Sequence, residues 1–253
     1  MTIKLEVYDE PDKSAPVVIG GDPAGDPGSD TVSDDSEADR DHFSVTIMDA
    51  MTTDLLAEAH GRAHPYEVAD FMMDMGLNRF KTNAGPAFLS WDAMNHGISI
   101  TNRFLGLDTG QWAPRYPVHR LYRHEDPETG RPTKHYGYLL KGGSRDKLID
   151  TLVWWFNKIV GGGKARVPSI RWLKEAEDFV HTGKRIEGKP HDDRMFSTGL
   201  CLMSLRQMGL RGVRERAAEV GEKPELDPFV KRILMESEGH TDYDPLTLLP
   251  LEV

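Results

Sequence analysis

The sequence predicts an α/β domain: a mixed central β-sheet flanked by α-helices, with an added β-hairpin. Three observations carry that expectation. Val17-Val18-Ile19-Gly20-Gly21 is an apolar and glycine run that ends in Asp22 and reads as a buried strand, stopped by Pro23 and Gly25. Phe43, Val45 and Ile47 then alternate with Ser44, Thr46 and Met48 in the period of a half-buried strand, and another strand follows around Asp54 to His60. Short connections make these three an antiparallel meander. Further along, apolar residues recur at helical spacing in several long stretches.

Taken in order, Met1 to Pro16 is a polar, proline-containing lead-in, expected to be poorly ordered. The main domain is expected over residues 17–210. Within it, Asp26 to Arg40 holds six acids and three serines with almost nothing apolar, which describes a loop. Pro65 opens a helix with Val68, Phe71, Met72 and Met75 at i, i+3, i+4 and i+7, closing near Gly76. Ala87 to Trp91 is a short buried strand running into Asp92. A helix from Gly97 carries Ile98, Ile100, Phe104 and Leu105 up to Gly106. Val118 to Arg123 and His135 to Leu140 form the arms of the expected hairpin around Asp126-Pro127-Glu128-Thr129-Gly130.

Ser144 is the expected N-cap of a helix bearing Leu148, Leu152, Trp155 and Ile159, ended by Gly161 to Gly163. Ser169 caps another, with Ile170, Leu173, Ala176 and Phe179 as its apolar face. A last helix begins at Asp192-Asp193 and carries Met195, Phe196, Leu200, Leu202, Met203 and Leu205. Residues 211–253, charged and punctuated by Pro224, Pro228, Pro245 and Pro250, read as an appendage.

The net charge of −10 is local. Met1 to Asp49 holds 13 acids against 3 basic residues, so the remainder is neutral. Arg103 to Arg145 is enriched in Lys and Arg, eight against four acids, with tyrosine and histidine interleaved. A charge run is ordinarily a solvated face; here Arg120, Arg123, Arg131, Lys134, Lys141 and Arg145 are the candidates for holding phosphates. No apolar run approaches the roughly 20 residues that cross a bilayer, which excludes a helical membrane protein, and the start lacks a signal-peptide pattern. The single cysteine, Cys201, has no internal disulfide partner and reads as a small core residue.

The chemistry is carried by acids. Asp22 and Asp92 each end a buried strand, and Asp192-Asp193 starts a helix; in a mixed sheet these places can converge on one rim. Clustered carboxylates repel unless a cation neutralises them, and an all-oxygen set suits a hard divalent ion, Mg²⁺ or Mn²⁺. Two such ions about 3.5–4 Å apart would promote phosphodiester hydrolysis. Each acid also has a plainer use: Asp22 as a turn former, Asp192-Asp193 as helix N-terminal residues, Asp92 as an exposed acid. Asp41 is a turn acid or an accessory acid approaching from the next strand. His119, His124 and His135 match no zinc spacing.

The order Asp22-Pro23-Ala24, Asp39-Arg40-Asp41, Trp91-Asp92-Ala93-Met94-Asn95-His96-Gly97 and Gly188-Lys189-Pro190-His191-Asp192-Asp193 resembles the nuclease domain of the large terminase subunit of tailed bacteriophages. The likeness spans roughly Val17 to Met208. It implies a ribonuclease H-like fold, with Asp22, Asp92, Asp192 and Asp193 as catalytic metal ligands for two Mg²⁺ or Mn²⁺ ions, and Asn95 and Gly97 shaping the turn after the second acid. It further implies an endonuclease that cuts concatemeric double-stranded DNA in the host cytoplasm. The implied partners are DNA, an ATPase motor, a small terminase subunit and a portal, with no membrane.

Two departures stand out. The family's second acid is often Glu, where Asp92 is shorter. Its large subunit also carries an ATPase motor, whereas Gly163-Lys164 lacks both the first glycine and the Ser or Thr of a phosphate-binding loop. The chain is thus expected to be an excised nuclease domain or one part of a split protein. The competing expectations are a non-cutting terminase module that binds DNA, motor or portal, and another nuclease of the same fold, such as a junction resolvase.

Overall fold

The computed structural model describes residues 3–23, 42–110, 112–126, 129–178, 180–182, 185–187 and 193–220. Its centre is β2 (Val17–Asp22), buried until its last residue, as its unbroken apolar run requires. β3 (Phe43–Asp49) pairs antiparallel with β2, and β4 (Leu55–Gly61) antiparallel with β3. β5 (Phe88–Trp91) lies parallel to β2 on its other side. β1 (Leu5–Val7) adds an edge strand against β4, so the sheet runs β1-β4-β3-β2-β5 and is mixed. The expected meander is therefore present. The lead-in departs from expectation, because three of its residues are recruited by the edge of β4.

Helices cover both faces. α1 (Pro65–Asp74) starts with Pro65 behind a capping box, in which the His64 imidazole accepts from Tyr66 N–H and the Glu67 carboxylate from His64 N–H. It does not stop at Gly76: a π-helical turn, Met75–Arg79, carries it onward. α2 (Gly97–Leu105) ends at Gly106, whose φ of 70° supplies the left-handed C-terminal turn. Together α1 and α2 close a core with Ile19, Phe43, Met72, Trp91 and Phe104.

The opposite face is covered by α3 (Gly143–Trp155), α4 (Ile170–Asp178) and α5 (Asp193–Val220), which enclose Val18, Phe88, Trp155, Trp172 and Leu200. α5 lies very close to the sheet. A Cβ on Gly20 would stand 2.0 Å from Ser197 O, and the small Ser197, Thr198 and Cys201 face β2 and β3. Ser197 Oγ is 3.0 Å from Ser44 Oγ and 2.8 Å from Thr46 Oγ1, and Cys201 Sγ is 3.3 Å from Thr46 O. Cys201 is fully buried, in keeping with its reading as a core residue.

Several expected boundaries move. The hairpin consists of β6 (Arg123–Glu125) and β7 (Pro132–Tyr136). Val118–Arg120 forms a 3₁₀ turn, and Tyr138 instead continues alongside β5 through Tyr138 N–H to Trp91 O and Ala93 N–H to Tyr138 O, both 2.7 Å. Gly142, not Ser144, is the N-cap of α3. Ser169 does cap α4, accepting from Trp172 N–H at 3.0 Å, yet α4 buries Trp172 and Glu175 while Ile170 is 70% exposed and Leu173 also meets solvent. Phe179, assigned to that face, lies outside the described residues. A small hairpin, β8 (Val180–Thr182) with β9 (Arg185–Glu187), precedes α5. α5 itself continues past residue 210.

Candidate functional site

Parallel register sets Val18 beside Phe88, Ile19 beside Leu89, Gly20 beside Ser90 and Gly21 beside Trp91, so Asp22 and Asp92 are the next pair at the carboxyl ends of two neighbouring strands. Asp92 N–H donates to Gly21 O at 3.1 Å, which holds that register to the end. Side chains alternate faces along a strand. A Cβ on Gly20 would meet α5 and one on Gly21 would meet Met72 of α1, so Asp22 points to the α5 side. Asp92 follows Trp91, which packs with Ile19 in the α1–α2 core, and so faces the α5 side as well.

The turn after β5 fixes the second carboxylate. Met94 N–H donates to Asp92 Oδ1 at 3.0 Å, and Leu140 N–H, from the segment following the hairpin, reaches the same oxygen at 3.4 Å. Asn95 takes a left-handed φ of 45°, and Gly97 passes so near that its Cβ would sit 1.7 Å from Asp92 O. Burial pushes the Asp92 carboxyl above its ordinary pKa, against the pull of these two N–H donors. Among the described residues no basic side chain opposes that rise.

Along the same row of the sheet, Asp22 pairs with Ser44 and Ser44 with His60. His60 Nε2 lies 3.5 Å from Asp193 Oδ2 at the start of α5. His42 stacks on His60, centroids 5.0 Å apart with rings 8° from parallel. The helix start is anchored from α4: Glu175 Oε1 accepts from the N–H groups of Arg194 and Met195 at 2.7 and 3.1 Å. Arg194 also reaches Glu175 Oε2 at 3.1 Å and Glu58 Oε1 at 3.6 Å. Two N–H groups of this helix start are thus capped by Glu175, while Asp193 Oδ2 lies near His60. The histidine pair escaped the sequence reading because His42 and His60 lie on different strands and meet only through register.

Asp41 and Asp192 lie outside the described residues. Among the described residues no group of three or more His, Cys, Asp or Glu is close enough to hold a metal, so the structure brings together Asp22 and Asp92 while Asp193 stands at His60.

The six basic candidates divide. Arg120 Nη2 donates to Ala84 O at 2.6 Å, and Arg123 Nε donates to Thr133 O at 2.9 Å with its guanidinium over Tyr136. Both hold loops in place. Arg131, Lys134 and Lys141 are exposed. Arg145 lies over the Phe196 ring at 5.0 Å, above the first turn of α5. A cavity of about 270 Å³, lined by Thr52, Thr53, Trp155 and Leu205 among others, lies at the opposite end of the sheet from the acids. Among the described residues no helix is long and apolar enough to cross a membrane.

A meander whose first strand is flanked by a parallel strand, with helices on both faces, is a ribonuclease H-like fold. It matches the large terminase nuclease from thermophilic phage G20c with a TM-score of 0.52 at 17% identity, over 79% of this chain and 87% of that one. The same nuclease with bound magnesium gives 0.48 at 18%, over 79% and 86% of the two chains. The large terminase nuclease domain of Thermus phage P74-26 gives 0.46 at 16%, over 78% and 83%. No protein-family model matches the chain, and no curated protein sequence does.

Proposed function

We propose that this chain is a metal-dependent endodeoxyribonuclease of a viral DNA-packaging terminase, cutting concatemeric double-stranded DNA with little sequence preference. The observation that carries the reading is the placement of Asp22 and Asp92 side by side at the carboxyl ends of parallel β2 and β5, on the face covered by α5. The fold shared with a terminase nuclease supports it.

The donor set fits a hard cation. Its two strand-end members offer carboxylate oxygen, and among the described residues the burial of Asp92 is offset by backbone N–H groups and no basic side chain. Asp22 and Asp92 would hold Mg²⁺ or Mn²⁺, with Asp192 or Asp193 completing the set and Asp41 as an accessory acid. Two such ions, when bound, supply activation of water and stabilisation of the leaving oxygen. The chain's own contribution is orientation. The N–H groups of Met94 and Leu140 fix the Asp92 carboxylate, β2 fixes Asp22, and Arg131, Lys134, Lys141 and Arg145 hold the DNA backbone without reading bases. An ATPase motor, small terminase subunit and portal are the proposed partners, in the host cytoplasm.

The test is cleavage of supercoiled plasmid with Mg²⁺, with Mn²⁺ and with chelator, by the unmodified chain and by Asp22→Asn. Metal-dependent nicking and linearisation, lost on that substitution, is the expected result; intact plasmid with either metal sinks autonomous cutting. Branched DNA and RNA–DNA hybrids in the same assay separate a junction resolvase or RNA-strand hydrolase. A second reading is a non-cutting module that binds DNA, motor or portal; DNA binding with plasmid left intact would bring it forward.

A further inference from the structure

The row Asp92, Asp22, Ser44, His60 crosses four strands of one sheet face at one rim, and each of the last three is aligned by register with the strand beside it. His60 is where that row meets α5. Its Nε2 faces Asp193 Oδ2 at 3.5 Å, and both side chains are mostly buried, at 17% and 19% exposure. The plane of the ring is set by the parallel stack with His42, which precedes β3 and lies on the same face as Ser44. Ser197 and Thr198 fix how closely α5 sits on the sheet, and Glu175 secures the N–H groups of Arg194 and Met195. Among the contacts of Asp193, the one with His60 ties the start of α5 to β4, and second-sphere partners of this kind typically govern metal affinity or activity by 10–100-fold.

We propose that His60, braced by His42, is a positioning residue that directs the Asp193 carboxylate and seats the first turn of α5 at the rim beside Asp22 and Asp92. The consequence for cutting rests on the nuclease reading above; the seating of the helix does not. His60 touches neither the proposed metal ligands of β2 and β5 nor the scissile bond, and acts through Asp193.

The experiment uses the full chain with His60→Leu, which removes the ring nitrogens, and His60→Gln, which returns an amide nitrogen near the position of Nε2. Three quantities are measured: hydrogen–deuterium exchange of the peptide spanning 193–198 without metal, Mn²⁺ affinity by electron paramagnetic resonance, and KM and kcat on supercoiled plasmid. His60→Leu is expected to speed exchange in that peptide, weaken Mn²⁺ binding at least tenfold and lower kcat with KM for DNA unchanged, while His60→Gln restores all three. Exchange in His60→Leu equal to that of the unmodified chain overturns the proposal, as does a His60→Gln variant no better than His60→Leu. Should His60→Leu not fold, His42→Ala against His42→Phe asks the same question of the brace: only the phenyl ring keeps the stack, and equal behaviour of the two overturns the proposal. Intact plasmid with the unmodified chain sinks autonomous cutting, while the exchange comparison still decides the role of His60.

Discussion

A methyl group at Gly97 would stand 1.7 Å from the backbone oxygen of Asp92, closer than any real contact, and the obstacle is main chain that cannot rotate away. Gly97 is therefore a condition for the position of Asp92. Gly97→Ala is expected to cost about 1–3 kcal/mol by overpacking. Under the nuclease reading it also lowers cutting at least tenfold, because the carboxylate shifts with its backbone. Gly143→Ala is the matched control: nothing lies within 4 Å of its added Cβ, and both stability and cutting should stay level. Thermal melts and plasmid cleavage on the pair check this, and equal effects at the two glycines would refute it.

At the scale of elements, the start of α5 depends on Glu175. Burial raises its pKa from 4.5 to about 7, against Arg194 and two backbone N–H donors that favour the charged form. Since the folded state then binds this proton more tightly than the unfolded chain, Glu175 contributes stability that is fully present below pH 4.5 and is lost as pH rises through about 7. The range corresponds to a few kcal/mol at most. In urea titrations, the difference in stability between the unmodified chain and Glu175→Gln should change across that window and be flat above it; a difference independent of pH would contradict the assignment.

The hairpin gives an element-scale prediction of a different kind. Arg120 and Arg123 bond to protein carbonyls, whereas Arg131, Lys134 and Lys141 face solvent. If the hairpin holds DNA, replacing the latter three with Ala should lower the slope of log affinity against log salt by about 2–3, near 0.9 per lost phosphate contact, with folding unchanged. Arg123→Ala should instead lower the melting temperature, because it unpins β6 from the strand beside it. An unchanged salt slope in the triple variant would remove the hairpin from the DNA surface.

Across the whole molecule, the two cores lie on opposite faces of β2, and the acids stand where its apolar run ends. This was legible in the sequence. Val17 to Gly21 can only be a strand covered on both sides, the alternation from Phe43 to Met48 declares its neighbour, and the apolar helices supply the covers. Asp22 and Asp92 were visible as acids at strand ends because a period of two and a run of buried residues both stop there. Local patterns of this type are written in consecutive residues, so the chain alone determined β2 to β5, most helices and the two carboxylates, while β1, β8 and β9 were not foreseen.

What the sequence left open depended on residues far apart along the chain. The direction of β5 relative to β2, which makes Asp22 and Asp92 neighbours, is a matter of pairing and leaves no local mark. The role of Gly20 came from the helix that packs on it 177 residues later, at Ser197. The buried face of α4 was misread because apolar Ile170 and Leu173 followed the helical period, whereas Trp172 and an ionisable Glu175, bonded to Arg194, occupy the interior. His60 gained its partners only when β3 and β4 set it beside His42 and α5 brought Asp193 to it. Periodicity records which residues leave water; which side chains then meet is decided by register and helix docking, and those are properties of the tertiary structure.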